Sequence, residues 1–165
     1  MTRKFTPLRN PLSFVKAGST LCLLMNIATA PMASLAQTPE STSPETVTLK
    51  INNAVAKAEV ADTPTLQQKG LMFRESLAKD HGMVFVFSKP ERYCMWMKNT
   101  PLPLSVAFID ATGRIVNIES MQPKTETSHC ARTPVPYALE MKQGWFREKS
   151  ITVGDRVLGL PTFRP

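Results

Sequence analysis

The nineteen residues Arg92–Asp110, RYCMWMKNTPLPLSVAFID, are the densest concentration of chemically useful side chains in this sequence. A cysteine, a tryptophan, the triplet Lys98-Asn99-Thr100 and two prolines lead into an apolar run that ends at Asp110. Polar tips beside a rigid aromatic and a proline-fixed turn suit ligand recognition, because groups positioned in advance lose less freedom on binding. Strand alternation would place Cys94, Trp96 and Lys98 on one face and Tyr93, Met95 and Met97 on the other. The first face then carries an indole and an ammonium side by side, a pairing suited to an anionic or sugar-like group. The plainer reading keeps Trp96 in the core and uses Lys98, Asn99 and Thr100 to shape a turn.

Other chemistry is scattered more thinly. Arg74 could offer a fixed guanidinium to a carboxylate or phosphate, or serve a structural ion pair. Asp110 ends an apolar strand before a turn and is explained by capping that turn. Glu140 sits between Leu139 and Met141 in a strand pattern, so its carboxylate either faces solvent or is buried with a basic partner such as Lys98 or Arg74. His129, with Met95, Met97 and Met121, raises a soft-metal site, but the spacing matches no established copper motif and methionines at alternating strand positions fill core gaps. No metal and no cofactor is therefore expected. Ser105, Ser128 and the histidines show no nucleophile-elbow or triad-like signature.

These residues need elements to hold them. Arg3, Lys4, Arg9 and Lys16, followed by an apolar stretch over residues 17–27 and the small-residue pattern at Ser34-Leu35-Ala36, read as a signal peptide over residues 1–36. The apolar stretch is well short of the roughly 20 residues of a spanning helix, and no other segment is long enough to cross a bilayer. Removing those residues subtracts four of the 20 basic groups and none of the 13 acids, so the net charge falls from +7 to +3. The remaining cations are dispersed among acids, which argues against a nucleic-acid partner. Residues 37–46 are polar and proline-rich, a flexible lead-in. Residues 47–165 then make one domain with a core of its own. The expected location is the periplasm or outside the cell. Cys94 and Cys130, the two cysteines beyond the signal, are expected to form a disulfide there.

The alternation of Val47, Leu49 and Ile51 predicts a strand, with an antiparallel partner after the Asn52-Asn53 turn. Asp62 or Thr63 caps a short helix that starts at Pro64 and ends at Gly70. Strand patterns then recur at MVFVF, RYCMWM, LSVAFID, RIVNIES, YALEM and ITVGDRV. Leu104–Ile109 is nearly all apolar, as in a strand covered on both faces. Ala111-Thr112-Gly113 turns it into a hairpin, and Gly144–Lys149 adds one helical turn. The fold class is mainly β: a compact barrel or jelly-roll-like sandwich of about seven short strands with one or two short helices.

An ordered series of short motifs resembles domain of unknown function 192, a family of exported or membrane-tethered proteins. The series runs Gly70-Leu71-Met72-Phe73-Arg74, Gly82–Phe87, Trp96-Met97-Lys98-Asn99-Thr100, Pro103-Leu104, Phe108-Ile109-Asp110 with Gly113, Leu139-Glu140, Gly144 and Gly154-Asp155. Ser105 stands where the family often has aspartate. The resemblance implies a small jelly-roll-like domain and no particular activity, and its motifs fall on Arg74, Trp96, Lys98, Asn99, Thr100, Asp110 and Glu140. The reading that follows is a non-enzymatic binding module for a polar or anionic cell-envelope ligand such as a glycan, or for an envelope protein. The alternative is an enzyme acting on envelope or carbohydrate material, with Glu140 or Asp110 as acid or base beside Lys98.

Overall fold

The computed structural model describes residues 44–163. The expected signal peptide and most of the expected lead-in lie outside the described residues. Strand β1 (Thr46–Ile51) turns back through Asn52, at φ +52°, into β2 (Ala54–Ala61), pairing Ile51 with Ala54 as the alternation predicts. Helix α1 (Pro64–Lys69) follows; the Thr63 hydroxyl accepts the Leu66 N–H and Pro64 opens the first turn. The chain then enters β3 (His81–Glu91), β4 (Cys94–Met95), β5 (Leu104–Ile109), β6 (Ile115–Met121), β7 (His129–Cys130) and β8 (Val135–Lys142). Helix α2 (Trp145–Glu148) and β9 (Val157–Leu158) complete it.

Seven strands form one sheet in the order β6-β5-β8-β3-β2-β1-β9, and β4 pairs with β7 in a separate two-stranded ladder. The large sheet curls into a half-barrel. Its outermost strands meet at one corner, where Arg114 bridges Arg156 and the Val157 N–H donates to the Gly113 carbonyl at 2.8 Å. Gly113, at φ +81°, belongs there because a Cβ would collide with that strand. One face of the curl buries Leu49, Ile51, Val84, Leu139, Met141 and Trp145. The opposite face buries Phe85, Phe87, Leu104, Val106 and Phe108, beneath Leu71, Met97 and Ala131 from connecting segments.

The mainly β expectation holds, and several details differ. There are nine strands among the described residues, because three pairs of residues form minimal strands within what read as loops or longer strands. RYCMWM contributes only Cys94 and Met95, since the Met97 N–H leaves the ladder for the Thr125 carbonyl at 3.0 Å. In ITVGDRV only Val157 is strand; the Asp155 carboxylate accepts the Thr152 N–H at 2.7 Å and folds the segment into a turn. The parallel pairing of β2 with β3 across α1 has no local signal in the sequence.

The expected disulfide is present: Cys94 and Cys130 are register partners in the β4–β7 ladder, with S–S 2.01 Å. Beside it, buried Asn117 on β6 donates to the Cys130 carbonyl at 3.1 Å and accepts the Arg132 N–H at 3.1 Å. Crosslink and amide together tie β7 down over the second face. Replacing both cysteines by serine should lower unfolding stability by about 3–4 kcal/mol through loop entropy, read from urea denaturation. Gly82 is a second fixed point, since a Cβ there would overlap the Glu140 carbonyl and the Met141 sulfur on β8. Gly82→Ala should cost about 3 kcal/mol or more, because β3 and β8 cannot separate without breaking the central ladder.

Candidate functional site

Three loops converge on the covered face of the sheet, joined by backbone bonds. The Phe73 N–H donates to the Asn99 carbonyl at 2.8 Å, the Lys124 N–H to the Thr100 carbonyl at 3.0 Å, and the Thr100 N–H to the Met97 carbonyl at 3.0 Å. Phe73 and Asn99 both lie in the left-handed region, at φ +63° and +56°. Phe73 is a bulky residue at a positive φ and 72% exposed, a combination that costs free energy unless its surroundings fix it. Arg74 supplies part of that fixing. Its guanidinium forms a two-pronged pair with Glu59 of β2, both contacts at 2.5 Å, and the hydrogen bond to Glu59 raises its pKa.

Between these loops opens a cleft of about 670 Å3, lined by Phe73, Glu75, Lys98, Asn99, Pro101, Lys124 and Glu126. The alternation predicted for Tyr93–Lys98 is observed: Met97 is buried, whereas Trp96 is 46% exposed. The Lys98 ammonium lies 5.2 Å from the Trp96 ring centroid and 3.8 Å from Glu126. Trp96 is therefore a surface residue and not core. A separate crevice of about 30 Å3 is lined by residues 67–72, Phe85, Met95, Trp96, Thr100 and Glu140.

Glu140 is the unusual group. It lies on β8, opposite Met83 of β3 and Val106 of β5, and is 4% exposed. Burial alone pushes its pKa up to about 8, with no charge or hydrogen bond contributing. Neither Lys98 nor Arg74 is its partner; these are committed to Trp96 with Glu126 and to Glu59 respectively. Every fully enclosed polar side-chain atom among the described residues has a hydrogen-bond partner, so the unpartnered carboxyl faces the crevice.

The remaining expected residues divide. Asn99 lines the cleft, while Thr100 is buried and its hydroxyl donates to the Lys98 carbonyl at 3.4 Å. Asp110 stands apart just beyond the end of β5, four residues past Val106, the register partner of Glu140, and so roughly 13 Å along the strand. Its carboxylate accepts the Thr112 and Arg114 N–H groups at 2.8 and 2.9 Å, and though burial opposes it, these bonds hold its pKa below the usual range. Sequence reasoning missed Phe73, Lys124 and Glu126 as lining, because they sit in aperiodic loops. Met97 and Met121 are wholly buried in core, as gap-filling predicts. Among the described residues no three His, Cys, Asp or Glu side chains converge as a metal site.

The fold and site define a small, curled, mainly β domain whose loops build a cleft against one face of the sheet. The chain belongs to the DUF192 family, described as uncharacterized ACR, matched over residues 47–159. Among solved structures it is similar to a candidate transcription regulator from Sinorhizobium meliloti 1021, at 35% identity and TM-score 0.69, covering 73% of this chain and 98% of that one. It is also similar to a protein of unknown function from Novosphingobium aromaticivorans DSM 12444, at 34% identity and TM-score 0.64, covering 79% and 93%. No curated protein matches.

An acid that binds its proton more tightly when folded stabilises the fold fully below its unfolded pKa, near 4.3, and loses that contribution as pH rises towards its folded pKa. With that folded value at about 8, stability should fall between about pH 4.5 and 8, by on the order of 4 kcal/mol. Glu140→Gln should flatten this part of the profile, as measured by denaturation midpoints across the range.

Proposed function

We propose that this chain is an exported, non-enzymatic binding module for a polar, sugar-like ligand of the cell envelope. The observation that carries the reading is the exposed Phe73 side chain lining an open cleft with Lys98 and Asn99, together with the exposed Trp96, whose ring lies 5.2 Å from the Lys98 ammonium. Aromatic faces exposed to water and held by rigid neighbours stack on the C–H faces of sugars at little entropic cost. Phe73 adds weight, since an exposed phenyl held at positive φ contributes nothing to the core, and such backbone conformations cluster at functional sites. The charges favour a neutral polar ligand over an anion: Lys98 and Lys124 are balanced by Glu75 and Glu126 along the cleft. Export is supported by the signal-like residues 1–36 and by a disulfide that persists in oxidising compartments.

Glu140, as a buried acid beside the cleft, favours the second reading, an enzyme of envelope carbohydrate. A hydrolytic pair of carboxylates stands within roughly 10 Å across a shared substrate. Asp110 is too distant from Glu140's crevice to be its partner, and that crevice is too small for a sugar ring. Binding is therefore the better-supported activity.

Envelope glycan fragments titrated into the protein should quench or shift Trp96 emission, with Trp145→Phe removing the only other indole. By calorimetric titration, which needs no indole reporter, Trp96→Ala and Phe73→Ala should each weaken binding about tenfold without lowering thermal stability, as expected for one lost stacking contact. Glycan affinity unchanged by both substitutions, or product release during the titration, would defeat the binding reading.

A further inference from the structure

Glu75, Ser76, Leu77 and Ala78 carry the chain from the cleft towards β3 and belong to no helix or strand. Among the described residues, none of their N–H groups donates to a backbone carbonyl. Peptide groups left open in this way face water, because a dry interior does not tolerate them. Both ends of the stretch are nonetheless pinned. At one end the Phe73 N–H donates to the Asn99 carbonyl at 2.8 Å and Arg74 is forked on Glu59. At the other, the Asp80 carboxylate accepts the Trp145 indole N–H at 2.8 Å and lies 3.3 Å from the Lys149 ammonium. A row of free peptide groups fixed at both ends loses little freedom when a ligand bonds to it.

The wall across from this row is chemically its opposite. Leu102 and Pro103 share a depression of about 180 Å3 with Glu75, Ser76 and Leu77, and Pro101 lines the cleft just before it. Two of those three wall residues are prolines with no N–H to offer, and the Pro103 carbonyl is already taken by the Gln143 N–H at 3.0 Å. One side therefore supplies hydrogen bonds and the other carbon surface. The depressions also follow one another. The cleft shares Glu75 with the second, and the second shares Leu77 and Lys142 with a third of about 240 Å3 that reaches Asp80 and Trp145. Fully extended, the wall Phe73–Asp80 spans at most about 25 Å, room for several sugar rings in a row.

We propose that the ligand is a neutral, linear oligosaccharide lying along Phe73–Asp80, with hydroxyl groups on the free peptide groups of Glu75–Ala78 and C–H faces against Pro101–Pro103. This rests on the glycan reading of the cleft and deepens it, from a sugar at one place to a chain of sugars with a direction. Sugar hydroxyls replace the water on those peptide groups bond for bond. An ionic polymer is not selected: beyond the cleft, Lys79, Lys142 and Lys149 stand against Asp80 and Glu148. A peptide added as a further strand needs a regular sheet edge, and Glu75–Ala78 lie outside every strand.

The test is calorimetric titration of the full chain with N-acetylglucosamine and glucose oligomers of two, four and six units. In at least one series, affinity should rise about tenfold or more from the dimer to the hexamer, as added rings reach the second and third depressions. Ser76→Pro deletes one of the free N–H groups at a residue that is not at positive φ, and Lys142→Ala trims the far depressions. Each should lower hexamer affinity about tenfold and leave the dimer unchanged, whereas Ser76→Ala, which keeps the N–H, should bind as wild type. Thermal unfolding checks that each variant is folded. Affinity independent of length, or hexamer binding untouched by both Ser76→Pro and Lys142→Ala, overturns this inference and leaves the cleft reading in place. Failure of both sugar series at every length overturns the two together. Displacement of the hexamer by an alternating Ser-Ala hexapeptide would make the row a peptide site and also overturn the inference.

Discussion

One constraint organises this molecule: a curled sheet has two apolar faces, and only one of them can be buried within its own curl. The other, carrying Phe85, Phe87, Leu104, Val106 and Phe108, has only the two-stranded β4–β7 ladder and irregular segments to pack on. Connecting segments cover it, with Leu71, Met97 and Ala131 as their apolar undersides. Segments with so little regular hydrogen bonding need anchors. The Cys94–Cys130 crosslink with Asn117 beside it, and the Arg74–Glu59 fork, provide them at two separate points. The cleft is a by-product of that solution, because loops fixed at their bases leave their tips free to display Phe73, Trp96 and Lys98.

Most of the scaffold was legible in the sequence wherever the information is local. Period-two alternation located β1, the Asn52-Asn53 turn placed β2, short apolar runs bounded by turn residues located β5, β6 and β8, and Thr63, Pro64 and Gly70 marked α1; the alternating faces of Tyr93–Lys98 separate buried Met97 from Trp96, whose exposure the sequence left open. The losses are equally physical. A turn won over a strand at Thr152–Asp155 because one short carboxylate captured a backbone N–H, which no apolar period reports. The parallel β2–β3 pairing depends on contacts across α1, and the lining by Phe73, Lys124 and Glu126 depends on loops meeting in space. Burial of Glu140 was weighed in advance, but with a basic partner; the structure supplies burial without one.

That lone acid sits where an aliphatic residue would pack better. The strand positions facing it are Met83 and Val106, and its own strand continues as Leu139 and Met141. A carboxyl in the middle of a sheet works against the fold at neutral pH, and residues that do so tend to answer to a requirement other than stability.

The corner where Arg114 meets Arg156 has a further consequence. Sheets that end in long, flat, unpaired strands invite other polypeptides to dock along them and grow fibrils. Here one boundary strand, β9, is two residues long, and the other, β6, is engaged by Asn117 with the β7 segment and by Ile115 with Asp155. Both rims of the sheet are thus short or partly occupied, a feature by which natural sheets limit edge-to-edge pairing.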